Sequence, residues 1–134
     1  MQEINLDYDH GTGHGIGSFL SVHEAPQRIA KNSMFDSVEL LPGMILSNEP
    51  GYYKENEYGI RTENLVVINE NNNKKLYFET ISWCPIDLDL IDSSMLDQIE
   101  KQWLNKYHKK VYDTLETYLE NKEKDWLKEV TSEV

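Results

Sequence analysis

The stretch Leu40-Leu-Pro-Gly-Met-Ile-Leu-Ser-Asn-Glu-Pro-Gly-Tyr-Tyr53 decides how the chain is read. Pro42-Gly43 suits the two central positions of a type II turn, because proline presets φ and glycine enters positive φ without a Cβ penalty. Met44 to Asn48 follows as a strand. Further on, Ile60 to Ile68 is a β-rich run ending in the polar segment Asn69 to Lys75, and Leu76 to Trp83 reads as its returning partner. The two predict a hairpin with a long polar loop. Upstream, residues 5–51 are rich in Gly, Pro and His, while residues 95–134 carry neither Gly nor Pro.

In that last region Ile99, Trp103, Tyr107, Val111, Leu115, Tyr118 and Leu119 recur at three to four residues, drawing one apolar stripe along a helix. Ser94 with Asp97 resembles a capping box at its start. Lys101, Lys106, Lys109, Lys110, Glu116 and Glu120 fall on the opposite, solvated side. The pattern predicts one helix over residues 95–122, packed on the sheet, with Trp103 and Trp126 as anchors of the kind subunit interfaces favour. Strands followed by a helix make the chain α+β, with residues 1–92 as one portion and 93–134 as a helical tail.

Composition removes several classes of function. The chain has 134 residues, the size of one domain, with a formal net charge of −11. Charge neutralisation of a nucleic-acid backbone is not expected from it. At 39% hydrophobic residues, with 3 Trp, 8 Tyr and 3 Phe, it is too aromatic for a disordered chain. Apolar runs near 18 residues are missing, so no membrane span is expected. Met1-Gln2-Glu3 has no basic n-region of a secretory signal, and a single cysteine, Cys84, excludes an internal disulfide framework. A cytoplasmic location follows as the default.

Chemistry concentrates in three places. The first is His10-Gly11-Thr12-Gly13-His14-Gly15-Ile16-Gly17, with His23 nine residues after His14. Glycines rule against a helix there and suit an irregular backbone that brings imidazoles close to a ligand or metal. A phosphate loop is the rival, but the Walker lysine is absent and the glycine spacing departs from the dinucleotide pattern. The second is Glu49, at the end of an apolar strand, where a carboxylate is costly unless paired or coordinated. The third is Arg61-Thr62-Glu63, whose outer members share a face if the strand is continuous. An ordinary salt bridge would explain Arg61 and Glu63 taken singly. Together with Glu49 and His14 they favour a metal site, and its oxygen-rich donors suit manganese or a similar hard divalent ion.

The strings LDYDHGTGHGIGSFLSVHEAPQ (6–27), LLPGMILSNEPGYY (40–53) and YGIRTENLVVI (58–68) resemble the C-terminal half of aminopeptidase P, the X-prolyl aminopeptidase branch of the pita-bread metallopeptidases. Ile86-Asp87-Leu88, Trp103-Leu104-Asn105 and Tyr107-His108 resemble the end of its longer, eukaryotic-type members. The resemblance implies the C-terminal part of a pita-bread fold, a curved antiparallel sheet covered by helices. It also implies a dinuclear manganese hydrolase that removes an N-terminal residue preceding proline, with other divalent ions as substitutes. By motif, His14, Glu49 and Glu63 would be metal ligands. His10 would line the substrate pocket, His23 would contact the scissile carbonyl and help proton transfer, and Glu49 would double as general base. Tyr53 and Arg61 would form a hydrogen-bonding pair that orients an aspartate ligand.

In the family both aspartate ligands lie upstream of the histidine motif. Asp7 and Asp9 are too close to His10 to stand in for them, so this stretch is expected to supply part of an active site and to be inactive alone. The expected partner is a peptide with proline at its second position, with neither nucleic acid nor membrane, and a homodimer through the C-terminal region as the assembly. Three other readings predict different behaviour. One is a metal-free pita-bread binding module; another is a methionine aminopeptidase- or prolidase-like hydrolase. The third is an acidic fragment whose helix docks a partner chain.

Overall fold

The computed structural model describes residues 6–19, 21–31 and 38–134. The chain forms two compact units, Met1–Ser82 and Trp83–Val134.

The first unit is built on a five-stranded antiparallel sheet. Its strands are β1 (Gly13–Gly15), β2 (Glu24–Ile29), β3 (Ile45–Asn48), β6 (Asn64–Glu70) and β7 (Leu76–Thr80), in the order β2-β1-β3-β6-β7. Between β3 and β6 the chain makes a separate two-stranded ribbon of β4 (Gly51–Lys54) and β5 (Tyr58–Arg61). The turn before β3 forms as the sequence predicts. Gly43 has φ of 90° and the Met44 N–H donates to the Leu41 carbonyl at 3.2 Å, which places Pro42 and Gly43 at the centre of the turn. Leu46 and Val66 face each other across β3 and β6, and period two adds Ile68 to the same face. These three are buried, and Ile29, Leu40 and Met44 pack against them. The expected hairpin is also present: β6 and β7 pair from Val66↔Thr80 to Glu70↔Leu76 around an Asn71–Lys75 loop.

One strand expectation is corrected. Ile60 to Ile68 is not continuous: β5 ends at Arg61 and β6 begins at Asn64, so Thr62 and Glu63 form a connection. Arg61 and Glu63 therefore do not share a strand face by periodicity. Neither glycine nor proline marks a break within Arg61-Thr62-Glu63-Asn64, but β5 pairs with β4 while β6 pairs with β3, and the chain must change sheets between them.

In the second unit the single predicted helix is two. Helix α1 spans Gln98–Leu115 and helix α2 spans Asn121–Val130, separated by a tight 3-10 turn at Glu116–Tyr118. No Gly or Pro marks the break. The side chain of Glu123 accepts the Glu120 N–H at 3.0 Å, and this local capping gives the chain a second helix start. The break brings Leu127 of α2 against Tyr107 and Val111 of α1, and the three form a buried cluster with Trp83, Ile86 and Leu119 around it. The start of α1 is corrected too. Asp97 is the cap, accepting from the Ile99 and Glu100 N–H groups, and Glu100 reaches back to the Asp97 N–H. Ser94 instead belongs to a preceding turn, Ser93–Met95, capped by Asp92. The buried face of α1 is Leu104, Tyr107, His108 and Val111, so the predicted stripe holds at Tyr107 and Val111 and fails at Ile99, Trp103 and Tyr118, which are exposed. Among the described residues no helix is long and apolar enough to cross a membrane.

Candidate metal centre

The glycine-rich motif forms strand β1, which runs between β2 and β3. Gly13 is required by close approach, since a Cβ there would collide with the Ser47 carbonyl oxygen of β3. On the other side His14 pairs with Arg28, and then the register jumps so that Gly15 pairs with Glu24. Such irregularities re-aim side chains, and this one brings the His23 ring to 4.2 Å from the His14 ring, centroid to centroid.

His14 is held at both ring nitrogens. Its Nδ1 lies 2.8 Å from the Gly15 carbonyl, which can only accept, so Nδ1 carries a proton and, in the neutral ring, Nε2 keeps its lone pair. That Nε2 stands 3.2 Å from Oε1 of Glu49. Glu49 is a buried carboxylate, 7% exposed, immediately after β3. Its Oε1 accepts from the Ser47 hydroxyl at 2.9 Å and its Oε2 accepts from Arg61 Nη1 at 2.7 Å.

Arg61 continues the network outward. Its Nε donates to the Tyr53 hydroxyl at 2.7 Å, and that hydroxyl lies 2.8 Å from His10 Nε2. Because His10 Nδ1 faces the Gly11 carbonyl at 2.7 Å, the Nε2 of the neutral ring accepts from the Tyr53 hydroxyl. The bond to Tyr53 is the main cause that holds the Arg61 guanidinium above its ordinary pKa; desolvation opposes it, and Tyr53, Glu49 and Glu63 add favourable charge. Arg61 thus stays cationic throughout the working pH range.

His10, His14, His23, Arg28, Glu49 and Arg61 line one cleft of about 440 Å³. Glu63 does not line it. It sits in a neighbouring cleft with His14, Ile16, Ser21 and Leu65, so His14 is the residue common to both. Asp7 is ion-paired with Lys31. Among the described residues, no three His, Cys, Asp or Glu side chains converge into a complete metal-ligand set.

What is assembled still fits a divalent ion. A neutral imidazole nitrogen and a carboxylate oxygen that present lone pairs to each other at 3.2 Å repel unless a cation lies between or beside them. Adjacent donors on one ion, with bonds of about 2.1 Å, stand at about that separation. Imidazole with carboxylate is a donor mixture that divalent metal ions accept.

Two residues of the site were missed by the sequence reading, Ser47 beneath Glu49 and Arg28 in the cleft wall. Ser47 was legible, since a strand period of two puts it on the face of Glu49. Arg28 was not, because its place opposite His14 depends on the register of β1 against β2.

Comparison with known proteins places the chain in a family. The chain belongs to the metallopeptidase family M24, whose sequence profile matches residues 1–70, and the profile for the C-terminal region of peptidase M24 matches residues 74–134. Within the family it is 45% identical over 143 residues to a probable Xaa-Pro aminopeptidase P of Coprinopsis cinerea, covering 100% of this chain and 23% of that one. It is 41% identical over 141 residues to aminopeptidase P1 of Arabidopsis thaliana, covering 100% and 22%. The crystal structure of X-prolyl aminopeptidase from Caenorhabditis elegans, described as a cytosolic enzyme with a di-nuclear active site, superposes with a TM-score of 0.83. That likeness has 34% identity and covers 99% of this chain and 23% of that chain. The fold is therefore α+β and is that of part of a pita-bread X-prolyl aminopeptidase. The chain spans less than a quarter of the length of these relatives.

Proposed function

We propose that these residues form part of the active site of a dinuclear metallo-aminopeptidase that cleaves the bond between an N-terminal residue and a following proline. The observation that carries the reading is the pair His14 and Glu49, held by their own partners so that Nε2 and Oε1 face one another at 3.2 Å. His14, Glu49 and Glu63 would be this chain's ligands, and manganese is the ion we assign, with other divalent ions as substitutes. When bound, such a pair supplies a nucleophile at neutral pH and stabilises charge on the scissile oxygen.

The remaining work falls to the side chains. Glu49, buried and acceptor-rich, takes a proton from the attacking water as general base. His23 is exposed beside His14 and donates toward the scissile carbonyl or passes the proton on to the proline nitrogen. His10 has both nitrogens engaged, so it offers substrate a ring face rather than a proton. Tyr53 and Arg61 fix His10 and Glu49 in place. The assembly we propose is a homodimer through the C-terminal region, in the cytosol.

The test is direct. The full-length protein is purified, stripped of metal, and assayed with an X-Pro peptide and an X-Ala control while manganese is titrated in. Manganese-dependent release of the first residue from the X-Pro peptide alone supports the reading. Equal cleavage of both peptides replaces it with a broader aminopeptidase, and manganese binding without cleavage replaces it with a binding protein.

A further inference from the structure

We propose that Ser47 is a positioning residue of the metal centre, joining the histidine and glutamate ligands through one hydroxyl. The inference rests on the reading of His14 and Glu49 as ligands. Ser47 is fully buried, at 0% exposure, next to the core residue Leu46 in β3. Its Oγ accepts the backbone N–H of His14 at 3.0 Å and donates to Oε1 of Glu49 at 2.9 Å. The first bond crosses from β1 to β3 and sets the height of the His14 backbone. The second fixes the torsion of the Glu49 carboxylate. Oε1 is the same oxygen that faces His14 Nε2.

Serine is not there for packing. The apolar core of this unit lies on Leu46, Val66 and Ile68, so a buried hydroxyl at 47 must be explained by its partners. Both partners belong to candidate ligands, and each would be left unsatisfied by its loss. With Arg61 on Oε2 and Ser47 on Oε1, each oxygen of Glu49 has one donor and its remaining lone pairs are aimed rather than free to rotate. Groups that orient ligands in this way are worth about 10–100-fold in metal affinity or activity.

The experiment compares Ser47→Ala and Ser47→Thr in the full-length protein, reading manganese affinity by calorimetry, kcat against manganese concentration, and the crystal structure of each variant. Ser47→Ala is expected to bind manganese about 10–100-fold more weakly. Its kcat should recover as manganese is raised, and Glu49 should be rotated in its structure. Ser47→Thr keeps the hydroxyl and should restore affinity. If Ser47→Ala does not fold, Ser47→Cys, a much weaker donor of similar size, is read the same way. Unchanged affinity in the Ala or Cys variant, an unmoved Glu49, or a Thr variant as impaired as Ala would each overturn the proposal. A wild-type protein that binds no manganese overturns the ligand reading instead, and the position of Glu49 in the variant structures still decides what Ser47 holds.

Discussion

His14 Nε2 and Glu49 Oε1 stand 3.2 Å apart, with His14 Nδ1 turned to the Gly15 carbonyl and Glu49 bonded by Ser47 and Arg61, so a neutral His14 turns a lone pair toward the carboxylate. Two acceptors set face to face are a place for a cation. The relationship ties the glycine motif of β1 to the carboxylate after β3, some 35 residues later.

The first prediction concerns the ligands. In the full-length protein, His14→Ala and Glu63→Ala should each lower turnover of an X-Pro peptide by more than about 100-fold, since even groups that merely orient a ligand cost 10–100-fold. Thermal melts of the metal-stripped proteins should stay close to wild type, because neither side chain belongs to the apolar core. Wild-type-like cleavage by either variant would remove that residue from the site.

Arg61 gives a second prediction. Its fork binds Tyr53 through Nε and Glu49 through Nη1, a two-point geometry that lysine cannot reproduce. Arg61→Lys should therefore cost about 10–100-fold in kcat/KM although the charge is kept. Tyr53→Phe removes the link to His10 and should cost less alone. Because both act through one network, the double variant should lose less than the sum of the two free energies. Strict additivity in a kinetic double-mutant cycle would show that the network does not act as a unit.

Metal removal should be visible in stability. A ligand that binds only the folded state stabilises it by about 2.7 kcal/mol at a concentration 100-fold above its Kd. Adding manganese to the stripped full-length protein should raise its Tm, and chelator should reverse the rise. His14→Ala should flatten the response, because it deletes one of the two facing donors. A shift of equal size in that variant would place the stabilising ion elsewhere.

How much of this was readable beforehand depended on whether the cause was local. Pro42-Gly43 and the β6–β7 hairpin follow from residue chemistry within a few positions, and the structure has them where the sequence put them; the glycine motif, expected as irregular backbone, is strand β1 from Gly13 to Gly15. The break between Arg61 and Glu63 was hidden because it is made by partner choice, β4 for one segment and β3 for the next. The division of the C-terminal helix was hidden for a related reason: Glu120 and Glu123 read as surface charge until Leu127 is seen folded back on Val111. The cleft shared by His14, Arg28, Glu49 and Arg61 needs three strands in register, which no window of sequence contains.

The close approach of β1 to β3 makes a fourth prediction, independent of metal. A methyl group on Gly13 would run into the Ser47 carbonyl, which is backbone and cannot rotate aside. Gly13→Ala should destabilise the full-length protein by about 1–3 kcal/mol, the usual cost of overpacking a filled site. Denaturant unfolding should show a lower midpoint, and a neutral result would mean that the strands part easily.

The last prediction comes from His108, the histidine outside the motifs. It is fully buried in α1; its Nε2 accepts the Ile86 N–H at 3.1 Å, and its Nδ1 has no hydrogen bond of good geometry. Burial is the main cause that lowers its pKa below the ordinary 6.5, against smaller opposing effects from the Ser132 and Ile86 backbone. The folded state therefore releases its proton more readily than the unfolded chain. Between the lowered folded value and 6.5 the unfolded chain binds more protons, so stability rises with pH through that window and is level above it. Acidification below 6.5 should progressively lower the Tm of the full-length protein. His108→Gln, which titrates nowhere and can still accept the Ile86 N–H, should lose stability at neutral pH but show a shallower slope below 6.5. Parallel Tm-against-pH curves for wild type and variant would assign the acid sensitivity to other groups.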